Sequence, residues 1–449
     1  MKKVITYGTF DLFHEGHFRL LQRAKALGDY LIVGVTTENY DDSRGKLNVQ
    51  EGLMKRIENV KASGLADEII IEEYEGQKVN DIQKYEVDIF AIGSDWTGKF
   101  DYLNQYCEVV YLERTKGVSS TELRAEHNGV LRLGIVGYGR IAHRFIAESK
   151  YVSGINVEGV FGINPESLRS FVRKHELAFY STDYDDFLDN VDAVYIASPH
   201  LTHDDYAQRA IERGKHVLCE KPLVLESGRA KELYAMARGK ECVLLEAIKT
   251  AYAPGFLRLT SIAKSGQIGQ IKNIDATFTK LVEGDFRELQ AGTAGGSVTE
   301  LASYPLLAII KLLGEDLQEV DFYSYIDPER KVDLFTKMNI RYKDAIATAK
   351  VGLGVKSEGD LIISGTKGYI YVPSPWWKTE YFEIRFENAT DNKRYYYKFD
   401  SDGLRYELAE FVSMVNKRLS QSYKLTPSES TAIAGVIEQF MSGERVRRI

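Results

Sequence analysis

Cysteine is scarce in this chain. Its 449 residues include only Cys107, Cys219 and Cys242, far apart and each in or beside an apolar run. Such spacing offers neither a metal-ligand set nor a disulfide framework, so the three read as reduced core thiols of a cytosolic protein. A basic excess is also missing: 58 Lys and Arg stand against 65 Asp and Glu, for a formal net charge of −7. That balance excludes the electrostatic footprint of a nucleic-acid polymer binder. Long apolar runs are missing too. The basic Met1-Lys2-Lys3 start is followed by an apolar run too short for a signal-peptide core, and no stretch approaches the roughly 20 residues of a membrane span. The expectation is a cytoplasmic protein with no membrane contact and no metal centre. What remains is an ordinary globular composition, 44% hydrophobic and 27% charged, in a chain long enough for several domains.

Tyr7 to His17 reads Tyr-Gly-Thr-Phe-Asp-Leu-Phe-His-Glu-Gly-His and joins a short apolar strand to an amphipathic helix with Leu20, Leu21, Ala24 and Leu27 on its apolar face. A helix N-terminus leaves N–H groups unpaired and favours an anion. His14 and His17 add donors that can follow negative charge from an α-phosphate to a departing pyrophosphate, with no covalent intermediate. Gly16 lets the backbone approach closely. Ser119, Ser120 and Thr121 are N-cap residue types opening another helical run.

Residues 1–126 resemble the glycerol-3-phosphate cytidylyltransferase family, within the nucleotidyltransferases that carry a His-x-Gly-His motif. The resemblance covers the opening Met-Lys-Lys-Val-Ile-Thr-Tyr-Gly-Thr-Phe-Asp, the Gly93-Ser94-Asp95-Trp96 stretch and Arg114-Thr115-Lys116-Gly117-Val118-Ser119-Ser120-Thr121. It implies CTP, accompanied by Mg²⁺, on Gly8, Thr9, Phe10, Lys46, Arg114, Ser119 and Thr121, with His14 and His17 catalytic. Arg44 also falls where the family has a phosphate-contacting basic residue. The family's arginine on the following helix corresponds to Lys55 or Arg56, and the sequence does not choose between them.

After Glu126-His127-Asn128-Gly129 a new strand begins, then Gly137-Tyr138-Gly139-Arg140-Ile141-Ala142 and a helix. This is Gly-x-Gly-x-x-Ala in the strand–turn–helix setting of a dinucleotide site: the glycines allow the tight turn and close pyrophosphate approach, and the alanine allows helix–strand packing. Where NAD-preferring folds commonly carry an acidic residue after the second strand, the chain has Gly162-Ile163-Asn164. That lean is toward NADPH, with NADH the alternative and Arg140 or Arg144 the candidates to meet a 2′-phosphate.

Ser198-Pro199 with His203, Gly214-Lys215-His216-Val217 and Glu220-Lys221-Pro222 complete a second set of marks. Residues 130–449 resemble the glucose–fructose oxidoreductase and inositol dehydrogenase family. The resemblance implies that Gly137, Gly139, Arg140, Ile141, Ala142, Ser198, Pro199 and Glu220 serve the cofactor and that Lys221 lies beside the reacting carbon. Gly295-Gly296-Ser297-Val298-Thr299-Glu300-Leu301-Ala302-Ser303-Tyr304-Pro305 looks like the family's segment leading to a catalytic His or Tyr, which places Tyr304 at the acid position and Glu300 where the usual Asp stands.

The expected fold is α/β, with two doubly wound parallel-sheet domains, nucleotidyltransferase (1–128) and dinucleotide-binding (129–250). An α+β open antiparallel-sheet substrate domain with a C-terminal helix (251–449) follows. The expected function is bifunctional: reduction of a keto-sugar phosphate to a polyol phosphate, then CMP transfer to give a CDP-polyol of the glycerol or hexitol type for capsule or teichoic-like polymers, by a homo-oligomer. The alternatives are a second half that only senses nucleotide or acts as a scaffold, and two tethered activities serving unrelated pathways.

Overall fold

The computed structural model describes the chain apart from residues 38–40, 42–48, 50, 75, 114–129, 285 and 400. It divides into two compact units, Met1–Val130 with Tyr151–Gly154, and Leu131–Lys150 with Ile155–Ile449.

In the first unit β1 (Lys3–Gly8), β2 (Tyr30–Thr36), β3 (Glu68–Glu72), β4 (Ile89–Gly93) and β5 (Glu108–Leu112) form a parallel sheet in the order β3-β2-β1-β4-β5. The strands are short apolar runs because both faces are covered. Val4, Leu31, Val33 and Ile89 pack with Leu21 and Ala24 of the helix Glu15–Lys25, while Ile5, Ile32 and Phe90 pack with Ile82 and Leu103 on the other face. The order reverses between β1 and β4, and a reversal of this kind opens a crevice at the carboxyl ends of the strands. The turn after β1 lies there.

The second unit begins with β6 (Leu131–Val136), β7 (Ile155–Phe161), β8 (Phe179–Ser181), β9 (Ala193–Ile196), β10 (His216–Glu220) and β11 (Leu244–Ala247), all parallel in the order β11-β10-β9-β6-β7-β8. Its reversal lies between β6 and β9, the strands that lead into the glycine turn and the Ser198 loop. Helix starts follow side-chain chemistry. Asn164 caps the helix Pro165–His175, Asp183 caps Tyr184–Asp189, and Thr426 with Glu429 forms a capping box on Pro427–Met441.

The same unit carries a nine-stranded mixed sheet formed by β12 (Ile271–Thr279), β13 (Glu319–Ile326), β14 (Asp333–Arg341), β15 (Ile346–Gly352), β16 (Leu361–Gly365), β17 (Gly368–Val372), β18 (Tyr381–Phe386), β19 (Lys393–Tyr396) and β20 (Val446–Arg448). Its pairs are antiparallel except β12 with β15 and β13 with β20. The strands alternate buried and exposed residues, as one-sided packing requires, and the helix Ser303–Leu313 packs on β12 and β15. Among the described residues no single helix is long and apolar enough to cross a membrane.

Candidate active sites

The first site is built on a strained turn. Phe10 and Leu12 have φ of 54° and 47°, a left-handed conformation that side chains rarely adopt. Gly8 gives the Phe10 ring room, because a Cβ there would lie 2.9 Å from it. Asp11 fixes the far side by accepting the Glu51 amide at 2.9 Å, and the Glu51 carboxylate in turn accepts the Leu12 amide at 2.9 Å.

His14 is the N-cap of Glu15–Lys25, and its Nδ1 accepts the Gly16 amide at 3.0 Å. That bond places the lone pair on Nδ1, so the proton of a neutral His14 sits on Nε2. The His17 ring stacks on His14, centroids 3.9 Å apart, with Phe10 and Phe13 at 5.4 and 5.6 Å. Both imidazoles are therefore held as one packed group at the helix start.

Of the two basic candidates on the helix Leu53–Ala62, the structure separates brace from surface. Arg56 is fully buried; its Nη1 donates to the Thr9 and Thr36 carbonyls, each at 2.8 Å, and its Nε donates to the Glu51 carbonyl at 2.9 Å. Asp41 lies 3.4 Å from the guanidinium and accepts the Thr9 hydroxyl at 2.9 Å. Lys55 is exposed, 3.9 Å from Glu58. Arg44, Lys46, Arg114, Ser119, Thr121 and the Glu126–Gly129 turn lie outside the described residues.

At the second site the glycine turn meets the Ser198 loop. Gly137 has φ 99°, and a Cβ there would lie 2.8 Å from the Ala197 carbonyl oxygen, so only glycine fits. Gly139 is the N-cap of the helix Arg140–Ser149 with no capping side chain, and a Cβ there would meet nothing within 4 Å. Open space before uncapped helix amides suits a pyrophosphate. Ala142 is fully buried behind it, in the packing role expected of the third small residue.

Arg140 and Arg144, the residues expected to meet a 2′-phosphate, and Asn164, which follows Gly162, are differently engaged. Arg140 pairs with Glu288 and lies over the Phe286 ring, Arg144 is 3.6 Å from Asp402, and Asn164 spends its side chain on capping Ser167. Gly162 faces the Tyr138 ring, which a Cβ would approach to 2.4 Å. Its small size is therefore a packing requirement as well as the absence of an acid.

Glu220 is half-buried at the end of β10, accepting the Tyr195 hydroxyl at 2.6 Å, and desolvation raises its pKa. Lys221 Nζ donates to the Glu300 carbonyl oxygen at 2.8 Å and stands 4.0 Å from the Glu300 carboxylate. Glu300 lies in the short helix Ser297–Leu301, and Tyr304 lies in the first turn of Ser303–Leu313. Tyr304 is nearly buried and packs on Phe278, which stacks on Trp377 at 3.7 Å; burial drives its phenol well above the ordinary pKa and keeps it protonated. The Glu300 segment is itself anchored: Asp333 accepts the Val298 amide at 3.1 Å and the Thr336 hydroxyl at 2.8 Å, and burial pushes its pKa up to about 6.

The additional methylene of Glu300 carries its carboxylate to Arg287, with Nη2 to Oε1 at 3.0 Å and His200 Nε2 at 3.7 Å. Burial, together with Lys221 and Arg287, pushes the His200 pKa far down, so the ring is neutral. Neither Arg287 nor His200 stands out in the sequence as part of this site, since an arginine in a polar loop reads as solvated charge. His203 is also buried, its ring nitrogens 2.8 Å from the Pro222 carbonyl and 2.9 Å from the Ser198 carbonyl, and burial lowers its pKa to about 4.

With the two sites described, comparison with known proteins defines their classes. Residues 5–126 match a cytidylyltransferase-like family model, residues 131–247 an oxidoreductase family with an NAD-binding Rossmann fold, and residues 256–371 the GFO/IDH/MocA C-terminal domain. The chain thus joins two enzyme families, a cytidylyltransferase and an NAD(P)-dependent oxidoreductase. Its N-terminal part belongs to the glycerol-3-phosphate cytidylyltransferase family: it is 51% identical to the Bacillus spizizenii enzyme over 126 residues, covering 28% of this chain and 97% of that one. The remainder is 26% identical to trans-1,2-dihydrobenzene-1,2-diol dehydrogenase of Sus scrofa, covering 69% of this chain and 95% of that one. It shares its fold with a 3-ketoreductase from Actinomadura kijaniata solved with NADP and TDP-benzene, at a TM-score of 0.65 and 21% identity over 71% of this chain and 99% of that one.

Proposed function

We propose that the chain is a bifunctional enzyme that reduces a keto-sugar phosphate to a polyol phosphate and transfers CMP from CTP to that product. The resulting CDP-polyol, of the glycerol or hexitol type, would serve capsule or teichoic-like polymer synthesis. The observation that carries the reading is the presence, in one chain, of the stacked His14–His17 pair at a helix start and the Lys221–Glu300–Tyr304 arrangement.

At the transferase site the polyol phosphate attacks the α-phosphorus of CTP and pyrophosphate leaves. His14 Nε2–H and the His17 ring stabilise the charge that develops on the phosphate oxygens, and the dipole of the helix that begins there adds its partial positive charge. Mg²⁺ travels with CTP. Arg56 holds the Gly8–Leu12 turn in shape by linking its Thr9 carbonyl to the end of β2.

At the reductase site Gly137, Gly139, Arg140, Ile141, Ala142, Ser198, Pro199 and Glu220 would hold the dinucleotide, with NADPH the preferred form. Bound, it supplies the hydride. Lys221 stabilises negative charge growing on the carbonyl oxygen, and the buried, protonated Tyr304 gives that oxygen its proton.

The test supplies the pure protein with keto-sugar phosphates, NADPH, CTP and Mg²⁺ together and identifies products by mass. A reduced CDP-polyol is expected, its formation abolished by omitting NADPH, with the free polyol phosphate accumulating in a His14→Ala variant. If no keto phosphate is reduced while supplied polyol phosphates are still activated, the coupled function is wrong and a sensing or merely tethered second half takes its place.

A further inference from the structure

The strand β11 is apolar except for Glu246, which is only 2% exposed. A carboxyl in such a place is costly unless its oxygens are matched. Both are: Oε1 accepts the Leu223 amide at 2.9 Å, and Oε2 accepts the hydroxyl of Ser430 in the helix Pro427–Met441. The main chain is tied down as well, since the Glu246 carbonyl accepts the Tyr252 hydroxyl at 2.7 Å.

Leu223 belongs to the turn after β10 that carries Lys221. In that turn Pro222 has no amide to give, the Lys221 amide donates to the Glu220 carboxylate at 3.3 Å, and the Leu223 amide donates to Glu246. Side-chain carboxyls, in place of a strand ladder, therefore hold the backbone from which the Lys221 ammonium reaches the Glu300 carbonyl. The Glu246 bond is the shorter of the two and comes from a neighbouring strand, so it is the stronger brace. Behind it, Ser430 directly follows the capping-box residue Glu429, whose bond to Thr426 fixes the start of the C-terminal helix.

We infer that Glu246 and Ser430 are positioning residues of the reductase site: they clamp the Leu223 amide and so hold Lys221 against the reacting carbonyl, without touching the substrate themselves. This rests on the reading of Lys221 and Tyr304 as a reductase site. The brace does not depend on charge. Desolvation pushes the Glu246 pKa up to about 7, and in the neutral form the Ser430 hydroxyl turns to accept the carboxyl proton while Oε1 keeps the Leu223 amide. Glutamine has the shape and the hydrogen bonds of that neutral form. Methionine fills the same space and offers the Leu223 amide no strong acceptor.

The full-length protein is assayed by NADPH oxidation with dihydroxyacetone phosphate, xylulose 5-phosphate or fructose 6-phosphate, whichever the wild type reduces. Glu246→Met should lower kcat about tenfold to a hundredfold with the KM for NADPH nearly unchanged, the scale of loss when a catalytic group is displaced by about an ångström. Glu246→Gln should bring kcat back to within about threefold of the wild type, because the acceptor returns. Ser430→Ala, which a helix tolerates well, should lower kcat by about threefold to tenfold, the loss of one brace of the carboxyl. A merely structural role would lower the Tm and the fraction of protein that binds NADPH, and would leave the kcat of the bound fraction alone. A normal kcat in Glu246→Met, or a loss that Glu246→Gln does not repair, overturns the inference and leaves the reductase reading standing. Should Glu246→Met fail to fold, a normal kcat in Ser430→Ala overturns it equally. If the wild type reduces none of the three ketones, the reductase reading falls and the inference falls with it.

Discussion

Lys221 and Glu300 meet through a main-chain oxygen and not through their charges: the ammonium is 2.8 Å from the Glu300 carbonyl and 4.0 Å from its carboxylate. The carbonyl belongs to the end of the short helix that precedes Tyr304, so the lysine is positioned by the segment that carries the proton donor. Lys221→Ala and Tyr304→Phe should therefore each abolish NADPH-dependent reduction. CMP transfer to supplied glycerol 3-phosphate should continue at close to the normal rate. Reduction at the wild-type rate by Tyr304→Phe, followed as NADPH absorbance, would remove that residue from the chemistry.

The stacked imidazoles of the first unit make a second prediction. Replacing His14 or His17 with Ala should lower CDP-polyol formation by about a hundredfold, the scale seen when a transition-state donor is lost. Pyrophosphate release measures it directly, and near-normal turnover by both variants contradicts the assignment.

Gly162 leads to a packing prediction. Its missing acid favours NADPH, which should be used at least as well as NADH in initial-rate comparisons. Restoring the acid as Gly162→Asp would drive a Cβ into the Tyr138 ring and should destabilise the fold by about 1–3 kcal/mol. Adding Tyr138→Ala to that variant should recover part of the loss in a thermal melt. Additive losses would mean that the ring is not the obstacle.

Glu246 makes stability depend on pH. Buried between the Leu223 amide and the Ser430 hydroxyl, its carboxyl is pushed from 4.5 to about 7 by desolvation. A raised folded-state pKa means the folded chain binds the proton more strongly, so its stabilising contribution is complete below about 4.5 and is lost as pH rises through about 7. The full change is about 3 kcal/mol. Glu246→Gln should gain in Tm relative to the wild type between pH 5 and pH 8; a constant difference across that range would show that the carboxyl does not titrate there.

Both parallel sheets are legible in the sequence because a strand covered on two faces appears as a short apolar run between helical patterns; residues 3–7, 30–36 and 68–72 are such runs, and β1, β2 and β3 lie on them. The glycine turn is equally legible, since a positive φ and a close backbone approach demand glycine at Gly137. The choice between Lys55 and Arg56 is not: adjacent basic residues on a helix look alike until the helix is docked and one of them points inward. Arg287 is hidden for a related reason. It precedes the Gly295-Gly296 pair by eight residues, and only the folded loop brings it to Glu300. Tyr138 against Gly162 is a contact between separate strand ends, invisible to any local pattern.

His203 has a consequence for how the second site is held. A neutral imidazole owns one N–H, yet the ring sits between two carbonyl oxygens, at Pro222 and Ser198. At neutral pH, with its pKa near 4, the ring can hold only one of these loops at a time, and the lone pair of the other nitrogen faces the remaining oxygen. Each tautomer of His203 therefore fastens one of two loops, the one behind Lys221 or the one beside the glycine turn, and turns a lone pair toward the carbonyl oxygen of the other.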